Sequence, residues 1–244
     1  MSNNAVLFCI PYAGGSSMSI SNVTRFINIE GLEIHCLELP GRGMRSNEPF
    51  VSSVGEAIID LCKNVEARLK NRQQSIIFWG HSLGALLALL ISHQFQENNF
   101  NVAGLIVSGM KAPFFVEPSN TKSFKNQRTT LLSQILPIKN ERNRNSLLFQ
   151  RAQKKGLEIM EKDIAILEDS KMINWLEVII KQPLTVIIGE QDELFPTIDY
   201  YVDWQLHSSD KTDYYSTQGG HLFVIQHPEK SASILMRIIS TILN

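Results

Sequence analysis

The sequence predicts an α/β protein: a mostly parallel sheet with helices on both faces and a helical insertion. Three observations predict it. Runs such as "AVLFCIP" (5–11) and "SIIFWG" (75–80) are apolar without alternation, the pattern of strands buried on both faces. Segments of helical periodicity separate these runs, as layered α/β folds require. From 112 to about 181 the strand pattern stops and helical patterns replace it.

In order, 5–11 is a buried strand, stopped by Pro11 and the "AGGSS" loop. "LEIHCLELPGRG" gives a second strand, from about Leu32 to Leu39, then a Pro-Gly turn. Between Ser53 and Leu69, Val54, Ile58, Leu61, Val65 and Leu69 recur at helical spacing. "SIIFWG" is the third strand, and Leu83 to Gln96 is a helix apolar around most of its surface. "VAGLIVSG" is the fourth strand. "RTTLLSQIL", "RNSLLFQRAQKKGLEIMEKDIAILED" and "MINWLEVII" are helical in pattern. "QPLTVIIGEQDELFP" resumes the sheet, "TDYYST" is a shorter last strand, and Pro228 to Leu243 is the closing helix, with proline in its first turn. We read 1–244 as one domain, with 112–181 a lid or cap inserted within it.

Composition excludes several classes of function. The chain has 244 residues, 43% of them hydrophobic and 19% charged, with a net charge of −1. That length can bury a sizeable core, and no charged block points to nucleic acid or a membrane surface. The three scattered cysteines, Cys9, Cys36 and Cys62, do not form a disulfide framework. The start, "MSNNAVLFCIPY", lacks the basic region and long apolar run of a signal peptide. The expectation is a cytoplasmic protein. Histidine and cysteine do not fall at zinc spacings, and "AGGSS" lacks phosphate-loop spacing, so no metal and no cofactor is expected.

"GHSLG" (80–84) fits the pattern G-x-S-x-G, with a strand before it and a helix after. In that context Ser82 sits on a strained turn as a nucleophile, and the helix behind it aims its N-terminus at the reaction site. A serine that merely caps a buried helix would account for Ser82 but not for both glycines. The base must lie on a loop at the same end of the sheet. His221, after "TQGG", does; His227, directly before Pro228, is the alternative. His81 would point elsewhere on a tight turn, and His207, in a polar stretch, reads as solvated. Asp192 in "GEQDELF" can orient the base, with Glu190 and Glu193 as competitors. The order Ser82, Asp192, His221 is that of the α/β-hydrolase fold. The oxyanion donors would be the backbone N–H of Leu83 and one from the loop after the first strand, at Tyr12 or Ala13.

Four stretches together carry a wider resemblance: "FCIPYAGGSS", "ELPGRGMR", "GHSLGALLA", and "GEQDELFP" with "GGHLFV". In order and spacing the chain resembles the type II thioesterases, stand-alone editing enzymes of nonribosomal peptide and polyketide synthesis. "PYAGG" and "PGRG" discriminate, since many hydrolases share only the serine motif. The resemblance implies the triad Ser82, Asp192 and His221 and a mobile helical lid over an acyl pocket. It also implies hydrolysis of acyl thioesters on the phosphopantetheine arm of an acyl or peptidyl carrier protein, which would be a transient partner of a monomeric enzyme. Leu83 stands where the family usually has methionine. The lid's usual arginine before an alanine-aspartate pair is not evident in "KGLEIMEKDIAILED". Arg42 and Arg45 could meet an acidic carrier, or form a solvated basic loop. A general carboxylesterase or amidase, an acyltransferase and a non-catalytic binding protein of the same fold are the rival readings.

Overall fold

The computed structural model describes residues 5–114 and 147–244. Six parallel strands form one sheet in the order β2-β1-β3-β4-β5-β6. They are β1 (Ala5–Ile10), β2 (Leu32–Cys36), β3 (Ser75–His81), β4 (Val102–Ser108), β5 (Leu184–Gly189) and β6 (Thr212–Thr217). Every strand predicted from the sequence is present. The second ends earlier than expected, at Cys36, because Leu37 to Pro40 leave the sheet to form a buried turn.

Burial follows strand position. β1 is buried throughout and β3 from its second residue onward, which is why neither alternates. The edge strands β2 and β6 are only partly covered and carry Glu33, His35, Asp213 and Ser216. Cys9 and Cys36 are cross-strand partners of β1 and β2, and all three cysteines are free thiols.

The helices are α1 (Ser17–Thr24), α2 (Val54–Glu66), α3 (Leu83–Glu97), α4 (Leu147–Asp169), α5 (Asp199–Val202), α6 (Phe223–Gln226) and α7 (Pro228–Leu243). Helix α2 starts where sequence chemistry says it should. Ser53 accepts the Glu56 N–H at 3.2 Å, and the Glu56 carboxylate accepts the Ser52 N–H at 2.7 Å. Its buried face is Ala57, Leu61, Cys62 and Val65. Helix α3 is buried without a break from Leu83 to Leu89, and again at Ile91, Ser92 and Phe95. Helix α7 buries Ala232, Leu235, Ile238 and Ile239, and Ile242 lies over Gly104 of β4. Helix α1 escaped the sequence reading because "SMSISNVT" is short and polar. It buries only Ile20, Val23 and Thr24. Among the described residues no helix is long and apolar enough to cross a membrane.

Of the insertion expected over 112–181, residues 115–146 lie outside the described residues. The described part is α4 and two short 3-10 turns, Ser170–Met172 and Trp175–Glu177. The last turn of α4 is tied to the main body: the Asp169 carboxylate accepts the Val54 N–H at 2.8 Å and so caps α2.

One buried carboxylate organises the "ELPGRGMR" turn. Glu38, 7% exposed, accepts the Ser17 N–H and hydroxyl with one oxygen, at 2.9 Å each. Its other oxygen accepts the Met44 and Arg45 N–H at 2.8 and 3.3 Å. It thus satisfies the free N–H groups at the start of α1 and of the turn Gly43–Arg45. Gly43 has φ +48°, and a β-carbon there would collide with the Glu38 carboxylate. Glu38→Ala removes the shared acceptor of these four donors in a part-buried turn whose Met44 is exposed, so water replaces part of what is lost. It should lower unfolding free energy by about 2 kcal/mol in urea titration, within the range for hydrogen bonds to a charged acceptor.

Candidate active site

The chain moves from β1 outward to β2, then returns to place β3 on the other side of β1. At such a switch point the loops after two neighbouring strands diverge and leave a crevice at the carboxyl ends. Here those are the loop after β1 and the turn after β3, which carry Tyr12, Ala13 and Ser82.

Ser82 has φ 55° and ψ −121°. Among the described non-glycine residues only Asn99 shares a positive φ. Such a conformation costs on the order of 1–3 kcal/mol and persists only where its surroundings enforce it. The Ser82 N–H donates to the Ser108 carbonyl at 2.8 Å, which ties the turn to β4. A β-carbon on Gly80 would strike the Gly84 carbonyl, and one on Gly84 would strike the carbonyls of Ile10 and Pro11. Both glycines of the motif are therefore required by backbone-to-backbone approach.

His221 Nε2 lies 3.0 Å from Ser82 Oγ, and His221 Nδ1 lies 3.0 Å from Asp192 Oδ2. The carboxylate accepts, so Nδ1 carries the proton and Nε2 can accept from the serine hydroxyl. Asp192 is 2% exposed, while Glu190 and Glu193 point to solvent. Its Oδ1 accepts the Leu194 and Phe195 N–H at 2.8 and 3.2 Å, and Tyr201 donates its hydroxyl to Oδ2 at 3.3 Å. Burial is the largest influence on Asp192 and pushes its pKa up. The hydrogen bond and charge of His221, with the two backbone donors, together outweigh burial and hold the carboxyl below its ordinary range. Burial first, and then the Asp192 charge, raise the Tyr201 phenol, which therefore stays a neutral donor.

Sequence reasoning passed over His81. It does point away from Ser82, but into a fully buried network. His81 Nε2 donates to the His221 carbonyl at 2.9 Å, and His81 Nδ1 pairs with Ser108 Oγ at 2.9 Å. Trp79 Nε1 donates to the same hydroxyl at 3.1 Å. Burial, then the proximity of His221, lower the His81 pKa to about 3, so the ring is neutral at ordinary pH. The sequence reading placed it on the turn, whereas it is the last residue of β3, and its partners lie 27 and 140 residues away.

Three sequence expectations need correction or refinement. His207 is not solvated: it is fully buried, donates from Nδ1 to the Val178 carbonyl at 2.8 Å and stacks on Phe114. Arg42 is not a surface cation either, being 3% exposed and bidentate to Asp163 at 2.6 Å for each bond. Arg45 is held by Asp60 and Glu48, which leaves it little freedom to meet a carrier. The N–H groups of Tyr12, Ala13 and Leu83 make no hydrogen bond to any described residue.

The fold defined by this sheet and its helices is that of the α/β hydrolases. Residues 5–242 match the family described as thioesterase domain, so the chain belongs to the thioesterases and is a thioester hydrolase. It is similar to the medium-chain S-acyl fatty acid synthase thioesterase of Rattus norvegicus, 21% identical over 90% of this chain and 81% of that one. It is also similar to a probable cadicidin biosynthesis thioesterase of Streptomyces griseus, 27% identical over 91% of this chain and 58% of that one. Among solved structures it resembles YbtT, a type II thioesterase of the yersiniabactin pathway. The TM-score is 0.78 at 20% identity, over 99% of this chain and 95% of that one.

Two predictions follow from the geometry. Ser82→Gly releases the positive-φ strain at the cost of glycine's extra unfolded-state entropy. The variant should be about 1 kcal/mol more stable than the wild type in urea unfolding while losing activity. Asp192→Asn removes a carboxylate whose folded pKa is depressed. That contribution is present above the unfolded aspartate pKa, about 3.9, and is lost as pH falls through the folded value. The stability gap between wild type and Asp192→Asn should therefore be constant at neutral pH and narrow below about pH 4.

Proposed function

We propose that Ser82, His221 and Asp192 form a catalytic triad that unloads acyl groups from the phosphopantetheine arm of acyl or peptidyl carrier proteins. This editing would serve nonribosomal peptide or polyketide synthesis. The observation that carries the reading is the unbroken chain from Ser82 Oγ through His221 to Asp192, at 3.0 Å per step. It lies beside backbone N–H groups that no described residue engages.

Ser82 Oγ attacks the thioester carbonyl carbon as His221 Nε2 takes its proton. The carbonyl electrons move onto oxygen, and the N–H of Leu83 with that of Tyr12 or Ala13 receives the oxyanion. Collapse breaks the C–S bond, and the proton on His221 passes to the departing sulfur, which returns the imidazole to its neutral form. A thiol of pKa about 8.5 leaves with less protonation than an amine would need. Water, deprotonated by His221, then attacks the acyl-serine and releases the acid. Asp192 holds the imidazole tautomer throughout and is itself held by Leu194, Phe195 and Tyr201.

In this reading 1–244 is one domain, and residues 112–181 are a lid over the acyl pocket. The enzyme meets its carrier transiently, as a monomer in the cytoplasm. Three free cysteines suit a reducing compartment.

Mass spectrometry of a panel of acyl-loaded carrier proteins tests the proposal. Wild type should release free acid, and Ser82→Ala should be slower by about 10⁴-fold or more. Faster turnover of a small free ester than of the loaded carrier would favour a general esterase. Acyl transfer to an added acceptor in place of water would make the enzyme an acyltransferase.

A further inference from the structure

We propose that Asp163, on helix α4 of the insertion, is a positioning residue that sets the oxyanion-donating loop after β1, so that docking of α4 and completion of the active site are one event. The inference rests on the triad reading above and goes beyond it.

The loop "PYAGGSS" is anchored at its ends, by the buried Tyr12 and Ala13 and by Ser17 on Glu38, while the glycines between have few bonds of their own. Gly14 has φ 79°, and the turn from Tyr12 to Gly15 is closed by one backbone bond, Gly15 N–H to the Tyr12 carbonyl at 2.8 Å. Glycine in such a turn leaves the peptide free to rotate, and rotation would redirect the N–H groups of Tyr12 and Ala13. The constraint comes from far along the chain. Asp163 Oδ2 accepts the Gly14 N–H at 2.7 Å, across 149 residues. Arg42, from the "PGRG" turn, grips both oxygens of the same carboxylate and lies 3.4 Å from the Gly15 carbonyl.

The anchor is itself rigid. Asp163 has no exposed surface, and Met160, Ile164 and Ile166 of the same helix are buried beside it. A buried ion pair of this kind is weak evidence for stability, since well-packed apolar residues often serve equally well. What an apolar pair could not do is accept the Gly14 N–H and so orient a peptide. The carboxylate therefore joins three elements: α4, the "PGRG" turn and the oxyanion loop. If α4 withdrew, Gly14 would lose its acceptor and the donors beside it would lose their aim.

The test separates ground-state binding from oxyanion binding. An alkyl trifluoromethyl ketone forms a hemiketal with Ser82. The serine Oγ–C bond forms, the serine proton passes to His221, and the ketone π electrons become an oxyanion in the site. A thioether of the same chain length has no carbonyl and reports only acyl-chain binding. For Asp163→Ala, kcat on acyl-carrier protein should fall about ten- to a hundredfold, the scale of a misplacement of about 1 Å, with KM within about threefold of wild type. Ketone affinity should fall by a similar factor and thioether affinity should hold. Where Asp163→Ala does not fold, the charge-free double variant Arg42→Met/Asp163→Leu should show the same split. Equal loss of both affinities, or kcat within about threefold of wild type in a folded variant, overturns the proposal. Ser82→Ala runs alongside as a control. If it hydrolyses thioester at the wild-type rate, the triad reading has failed; if it is inactive while Asp163→Ala is normal, only the positioning role has failed.

Discussion

The turn at Ser82 depends on three stretches of backbone coming closer than any side chain allows. Gly80 lies against the Gly84 carbonyl, and Gly84 lies against the carbonyls of Ile10 and Pro11. This contact brings the start of α3 onto the end of β1. It holds Ser82 at a positive φ, and it sets the loop after β1 beside the serine. The apolar burial of α3 follows as a requirement. A strained turn relaxes unless the elements on either side are fixed, and a helix buried without a break from Leu83 to Leu89 cannot shift to relieve it.

Around this turn the interior is polar wherever orientation matters. His81, Ser108 and Trp79 form a buried network that ends on the His221 carbonyl. Asp192 is bonded to His221, Leu194, Phe195 and Tyr201. Glu38 and Asp163 do the same for the loops on the other side. Desolvating such groups is costly, and an apolar core would pack as well without them. Their value lies in direction. Each carboxylate accepts from backbone N–H groups of a loop that lacks secondary structure to fix it, so the loop has one conformation rather than several.

The strands and long helices were legible because continuous apolar runs and 3.6-residue periodicity are local properties of sequence. Ser82, Asp192 and His221 were legible for a related reason. Each stands just past a strand, and in a parallel sheet all such positions share one end. What escaped were contacts between distant residues. Arg42 looked like a surface cation because the carboxylate that buries it is 121 residues away. Asp163 could have been found, since it falls on the same helix stripe as Met160, Ile164 and Leu167, where a charge needs a reason. Glu38, between Leu37 and Leu39, is the same kind of anomaly. His207 misled because Ser209, Asp210 and Lys211, which follow it in sequence, are exposed while it packs against Phe114, Trp175 and Trp204.

The parts of the proposed active site thus fall into two groups with different supports. The groups at Ser82, Asp192 and His221 hang from β3, β5 and the loop after β6, all within the sheet and its turns. The loop after β1 takes its final constraint from α4, which belongs to the insertion. In the proposed reading, a change in α4 therefore reshapes the acyl site without moving the hydrogen-bonded chain from serine to aspartate. The converse does not hold. In the proposed reading Asp163 is the residue through which α4 bears on the chemistry, so it is the one position of that helix that tolerates no change. An acidic residue buried on an otherwise apolar stripe of that helix, facing an arginine from the turn after β2, marks the point at which the two parts are coupled.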